Sequence, residues 1–261
     1  ASRHEIKRLP HLGDSDLEET ARETFPFQET EDQLRAEVDI LADLSSPKPM
    51  DRMLAGDVGF GKTELAIRAA LRVIASGKQV ALLSPTTILT HQHQHTFEER
   101  LKNLPVKIRA LSRITPKKEE QQILKEISEG QIDCLIGTHR LLSKDIHFKN
   151  LGLLVIDEEQ RFGVKQKERF KQLREDIDVL SLSAPPIPRT MKFILAKLRN
   201  ISLLSTPPPK RIPISTFVVP YSAQLIREAI SRELGRGGQI YFLHNRIETI
   251  GRTKEKLLKM L

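Results

Sequence analysis

The chain has 261 residues, of which 39% are hydrophobic and 29% charged, and it carries a formal net charge of +8. No apolar run approaches the ~20 residues of a membrane span, and the polar, basic opening ASRHEIKRLP has no secretory pattern; a monomeric cytoplasmic protein without a membrane partner is expected. The positive balance suits a polyanionic partner, and with no tryptophan and two tyrosines the grip would be on phosphates rather than stacked bases.

Residues 1–24 are charged and weakly patterned, and read as a linker or a remnant helix of an upstream region. A short strand candidate, RMLA (Arg52–Ala55), then leads into the stretch Gly56, Asp57, Val58, Gly59, Phe60, Gly61, Lys62, Thr63, Glu64. This is a G-x-x-x-x-G-K-T pattern. Glycine lets the backbone turn sharply and bring its N–H groups against phosphate oxygens. A helix starting near Lys62 aims its positive end at the same phosphates. Lys62 would reach the β- and γ-phosphates, and the Thr63 hydroxyl would take a Mg²⁺ position. Leu65, Ala66, Ala69, Ala70, Val73 and Ile74 recur at helical spacing after the loop, and Gly77 ends the run.

Further strand-like runs cover Gln79–Ser84, Val106–Ser112, Asp133–Gly137, Leu151–Ile156 and Val179–Ser183, with helical periodicity over Thr87–Leu101, Pro116–Glu129 and Val164–Leu173. Such alternation predicts an α/β domain, residues 25–204, with a mostly parallel sheet covered by helices on both faces. Ligands of such sheets bind beyond the carboxyl ends of the strands. The strand before DEEQ delivers Asp157 and Glu158 there: Asp157 can hold the Mg²⁺ shell and Glu158 can polarise a water for attack on the γ-phosphate. Cys134, inside IDCLIG, reads as a buried strand thiol. In HQHQH, only His91 and His95 share a helix face, which reads as a solvated face. The proline-rich STPPPKRIP, residues 205–213, reads as a stiff linker. Beyond it, ISTFVV, a helical run, GGQIYFLH and a last helix candidate read as the βαβα start of a truncated second lobe, residues 214–261.

These motifs together resemble superfamily 2 helicases and translocases. MDRMLAGDVGFGKTE, GLLVIDEEQRFGV and PIPRT are closest to the motor of bacterial transcription-repair coupling factors. The resemblance runs from Phe25 to Arg252 and implies a RecA-like P-loop fold, ATP and Mg²⁺ as cofactors, and ATP-driven translocation on double-stranded DNA. RNA polymerase and an excision-repair damage-recognition protein would be partners through regions missing here. By motif, FPFQETEDQ implies that Gln33 reads the adenine edge with Phe25 or Phe27 packing nearby. SPTTIL implies that Thr86 and Thr87 lie near a DNA backbone, and GTHRLL implies the same of Thr138, His139 and Arg140. SAPPIPRT holds the segment that couples ATP to DNA, with Ser183, Ala184 and Arg189. It departs from the family's S-A-T or T-A-T at Pro185, which removes a hydroxyl and a backbone donor. The branch-migration helicases of recombination share GDVG-GKT and RFGV but usually read D-E-Q-H where this chain has D-E-E-Q. They, and a catalytically weak nucleotide-dependent DNA-binding module, are the alternatives. A small GTPase is excluded, since no N-K-x-D is present. The second lobe stops after a motif IV-like YFLHNRIE, so poor hydrolysis by the isolated chain is expected.

Overall fold

The computed structural model describes residues 7–163, 177–184, 199–209 and 214–259. The chain falls into two units, Ala1–Arg211 and Ile212–Leu261. In the first, strands β1 (Asp51–Gly56), β2 (Gln79–Leu83), β3 (Ile108–Leu111), β4 (Cys134–Gly137), β5 (Leu151–Asp157), β6 (Asp178–Ser183) and β7 (Asn200–Leu204) form one sheet in the order β3-β4-β2-β5-β6-β1-β7. All neighbouring strands run parallel. Parallel neighbours cannot be joined by hairpins and need crossover connections. Among the described residues the unit's α-helices are α1 (Ser15–Glu23), α2 (Glu31–Leu44), α3 (Lys62–Ala75), α4 (Thr87–Leu101) and α5 (Lys117–Glu129). Of these, α3 carries the crossover from β1 to β2, α4 that from β2 to β3 and α5 that from β3 to β4.

Alternation along the strands divides the core into two layers. Leu153 and Val155 of β5 pack on one face with Ile40 of α2, Leu71 of α3 and Phe97 of α4. Leu154 and Ile156 pack on the other with Ile123 and Ile127 of α5. Both faces are dry, which is why the strands read as nearly continuous apolar runs.

Three features depart from the sequence reading or go beyond it. Strand β7 was not foreseen; its NISLL is short and only alternately buried, as at a sheet edge. Its approach to β1 is close: a Cβ on Gly56 would stand 2.8 Å from the Leu204 Cβ. The opening segment, read as a linker or a remnant helix, is helical over Ser15–Glu23 and is tied to the sheet. Asp14 caps α1 through the backbone N–H groups of Asp16 and Leu17, and the residues before it are held by Asp178 of β6, which is fully buried and accepts hydrogen bonds from Arg8 (2.8 Å), His11 (2.9 Å) and the Met50 N–H (2.6 Å). A buried carboxylate needs such partners, and removing one side of a buried ion pair costs about 3–5 kcal/mol.

The second unit also departs. It holds α6 (Ala223–Gly235), capped by Ser222, and α7 (Ile247–Leu258). Neither ISTFVV nor GGQIYFLH is a strand; both are irregular among the described residues. Apolar extended segments become strands only where a neighbour completes the ladder of N–H and C=O groups. The helix expected at Val164–Leu173 lies outside the described residues, as do Pro185 and Arg189.

Candidate nucleotide-binding site

Strand β1 ends at Gly56 and releases the chain into a loop that turns directly into α3. Gly59 and Gly61 both sit at φ +80°, a region that side-chain-bearing residues enter only with strain. Gly61 is the N-cap of α3 and contributes no side chain to it. Of its first-turn N–H groups, that of Glu64 closes onto the Gly61 carbonyl at 3.1 Å, while those of Lys62 and Thr63 stand at the positive end of the helix, a ready anion site. The Lys62 ammonium folds back onto this loop, donating to the carbonyls of Gly56 (2.7 Å) and Asp57 (2.8 Å). Burial pushes its pKa below the ordinary lysine range, against the opposing pull of Asp157, Asp57 and Glu158.

Strand β5 reaches the same rim, one strand away from β1 across β6. Lys62, Thr63, Asp157 and Glu158 line a single cleft of about 690 Å³, within the usual range for a small-molecule site. Glu158 is strained: at φ 49° it is the single non-glycine residue with positive φ among the described residues. Its N–H is held by the Leu182 carbonyl at 3.0 Å, and the Arg161 Nε stands 2.6 Å from its carboxylate as an ion pair, at an angle too poor for a hydrogen bond. Strain of this kind concentrates at functional sites. Glu159, next in the box, accepts from Ser181 Oγ (2.8 Å) and Arg199 (3.1 Å), which joins the acidic turn to β6 and β7.

Of the other residues expected at the nucleotide, Phe27, Gln33, Val58, Gly59, Gly61 and Glu64 line the cleft. Gly56, Asp57 and Phe60 do not. Gly56 is needed for the approach to β7, Asp57 accepts from the Val58 N–H, and Phe60 is buried in the core. Gln33 is already engaged: its Oε1 accepts from the Thr30 N–H in a capping box, and its Nε2 donates to the Phe60 carbonyl at 2.9 Å. The guanidiniums of Arg68 (5.2 Å) and Arg100 (5.3 Å) each lie over the Phe25 ring. Phe27 meets it edge-on at 5.5 Å and is 70% exposed, an apolar platform at the cleft wall.

The residues expected at DNA lie after β2 and β4, adjacent strands whose ends share this rim. Thr86 is exposed and caps α4 by accepting from the Leu89 N–H, and Thr87 is half-buried. His139 is exposed, whereas Thr138 is buried. Arg140 is committed to Asp145 through two hydrogen bonds and to Glu120 through a third, and these raise its pKa further. Ser183 ends β6 opposite Ala55, and Ala184 lines the cleft.

The histidine run is corrected. His91 and His95 are exposed, but His93 turns inward and its Nε2 lies 2.8 Å from Asp157 Oδ2. The signal was present in the sequence: His93, Phe97 and Leu101 fall at i, i+4 and i+8, and all three are buried. Cys134 is fully buried in β4, where burial pushes its thiol pKa up and leaves it unreactive.

Residues 30–194 match the DEAD/DEAH box helicase family. The chain is 51% identical over 257 residues to the transcription-repair-coupling factor of Bacillus subtilis (strain 168), spanning 98% of this chain and 22% of that protein. It is 49% identical over 239 residues to the transcription-repair-coupling factor of Escherichia coli (strain K12), spanning 92% and 21%. The chain thus spans about a fifth of the length of these relatives. Among solved structures, RecG bound to a three-way DNA junction aligns with a TM-score of 0.83 at 35% identity, covering 99% of this chain and 35% of that one. The helicase MrfA bound to DNA shares the fold at 15% identity and a TM-score of 0.67, covering 97% and 40%. The fold is the RecA-like helicase fold, and since the matched span holds both the glycine loop and the Asp157–Glu158 strand end, the chain belongs to the DEAD/DEAH box helicase family.

Proposed function

We propose that the chain is an ATP-binding motor lobe of a double-stranded DNA translocase of the transcription-repair-coupling type. The carrying observation is that an uncapped helix N-terminus, Lys62, and the Asp157–Glu158 strand end face one cleft. The residues fit Mg-ATP. The α3 N-terminus and Lys62 would hold the phosphates, Phe27 would pack on the base, and Thr63 with Asp157 would hold magnesium. Among the described residues no three His, Cys, Asp or Glu converge on a metal site, consistent with an ion that takes its remaining ligands from phosphate and water. When bound, magnesium neutralises charge on the β- and γ-phosphate oxygens. Lys62 must leave its two loop carbonyls to reach the same oxygens. Glu158, held in its strained turn, orients the attacking water and accepts its proton.

Duplex DNA would lie along the rim formed after β2 and β4, against Thr86, Thr87 and His139. Arg140 joins it only by giving up Asp145. RNA polymerase and a damage-recognition protein are partners of the longer protein, reached through regions outside this chain. The 51% identity to a transcription-repair-coupling factor, against 35% to RecG, solved on a three-way DNA junction, favours this reading over a junction-acting helicase. Hydrolysis by the chain alone is expected to be slow, because a second lobe supplies the arginine that steadies transition-state charge, an effect of about 10³–10⁵ in rate.

The test is the ATPase rate of this chain, and of a polypeptide extended through a complete second lobe, with and without plain duplex. The extended form should be faster and duplex-stimulated, and Glu158→Gln should abolish the stimulation with nucleotide binding intact. Equal rates for both lengths, or preference for junction over duplex DNA, would contradict the reading.

A further inference from the structure

His93 has no place in the phosphate loop, the acidic box or the DNA-facing segments, yet among the described residues it is the side chain that hydrogen-bonds the Asp157 carboxylate, at 2.8 Å. The two side chains are 9% and 15% exposed and meet at the wall of the cleft. An ionised carboxylate only accepts, so the proton between them rides on His93 Nε2. The bond occupies Oδ2 and restrains the side-chain rotation of Asp157, leaving Oδ1 as the oxygen for a cation or its water shell.

Helix α4, which carries His93, is itself tied to the sheet rim. Its Thr90 hydroxyl lies 2.6 Å from Ser84 Oγ at the end of β2. Its N-cap, Thr86, is one of the exposed residues on the DNA side of that rim. The helix therefore reaches from Thr86, two turns along, to the acidic strand end.

We propose that His93 is a positioning residue that orients Asp157 for the magnesium ion of a bound nucleotide. The inference rests on the nucleotide reading above and deepens it: a hydrogen-bond donor on α4 sets the geometry of a carboxylate on β5. Partners of this kind, one bond removed from the metal, carry about 10–100-fold in metal affinity when removed. The rival roles are distinct. A histidine that contacted the triphosphate itself would carry nucleotide affinity without metal, and a histidine that only filled space would be replaceable by an apolar side chain.

The experiment uses the 261-residue chain, the fluorescent analogue mant-ATP, and Mn²⁺ as a paramagnetic stand-in for magnesium. Binding of mant-ATP in EDTA reports the nucleotide site alone; electron paramagnetic resonance of Mn²⁺ with ATP present reports the metal. His93→Ala should weaken Mn²⁺ about tenfold or more while mant-ATP affinity in EDTA is unchanged. His93→Gln, which restores a donor, should recover most of the loss. His93→Leu should behave as His93→Ala, and carries the comparison if the alanine variant does not fold by circular dichroism. In an Asp157→Asn background the His93 substitutions should add nothing further. Unchanged Mn²⁺ affinity in a folded variant overturns the proposal, as does equal weakening by Gln and Leu, or a matching loss of mant-ATP binding in EDTA. Failure of the native chain to bind mant-ATP at all would instead remove the nucleotide reading, and this role with it.

Discussion

Two glycines of one loop share a backbone angle but not an environment. Gly59 and Gly61 both sit at φ +80°, yet a Cβ at Gly59 would meet nothing within 4 Å, whereas one at Gly61 would stand 2.2 Å from the Gln33 amide nitrogen. Gly59→Ala should lose about 1–2 kcal/mol to left-handed strain alone. Gly61→Ala should lose a further ~1–3 kcal/mol, because Gln33 must give up its buried bond to the Phe60 carbonyl. Urea unfolding of the two variants checks this, and equal losses would mean that Gln33 moves aside without penalty. The same residue shows the reach of sequence reasoning. A family motif assigns Gln33 to the base, but T-E-D-Q is also a capping-box signature, and the structure places both amide groups in backbone bonds. His93 is a related case: spacing within the histidine run pairs His91 with His95, whereas the register of His93 with Phe97 and Leu101 marks the buried side of the helix.

At the scale of elements, helix α2 does more than cover the sheet. Asp32 in its first turn accepts hydrogen bonds from the backbone N–H groups of Ser205 (2.9 Å) and Thr206 (2.8 Å), just before Pro208 and Pro209, which line the cleft. Burial pushes the Asp32 carboxyl up, but the bonds from Ser205 and Thr206 and the charge of Arg35 outweigh it and hold the pKa below the usual carboxylate range. A carboxyl depressed by folding contributes stability that is complete above its unfolded pKa, near ~4, and is lost as pH falls through the folded value. Asp32→Asn should therefore lower stability by about 1 kcal/mol at pH 7, and the gap to the native chain should close below pH ~4. A gap that persists at low pH would show that the carboxylate charge is not the cause.

The strands up to β6, and α3, α4 and α5 between them, are legible because the central strands are apolar almost throughout and those helices follow strand candidates in regular alternation. Helix α2, whose Ala36, Ile40 and Leu44 are buried, is absent from the sequence reading, and the helix expected at Val164–Leu173 lies outside the described residues. Strand β7 is not legible either: five residues with alternate burial at an edge leave a weak pattern. The absent strands of the second unit fail for the opposite reason. Their apolar pattern is strong, but a strand is a property of a pair.

On the scale of the whole molecule, the sheet brings to one rim two segments nearly a hundred residues apart in sequence. The glycine loop and the acidic box were each readable as motifs; their convergence was an inference from parallel topology, and both line the same cleft. What the sequence did not show is how the rim is maintained: Asp178 clasping Arg8 and His11 at one end of β6, Glu158 in a left-handed turn at the other, and Arg199 bridging Asp51 and Glu159 between them. These are contacts between side chains distant in sequence, with no local signature.

The central claim is that this rim binds a magnesium-complexed nucleoside triphosphate. Equilibrium binding of mant-ATP to the native chain, to Lys62→Ala and to Asp157→Asn, each with and without Mg²⁺, tests it most directly. Saturable binding by the native chain is predicted, weakened about 10–100-fold in Lys62→Ala by loss of one charged contact, with the magnesium dependence lost in Asp157→Asn. Binding that is indifferent to both substitutions and to the metal would contradict the account.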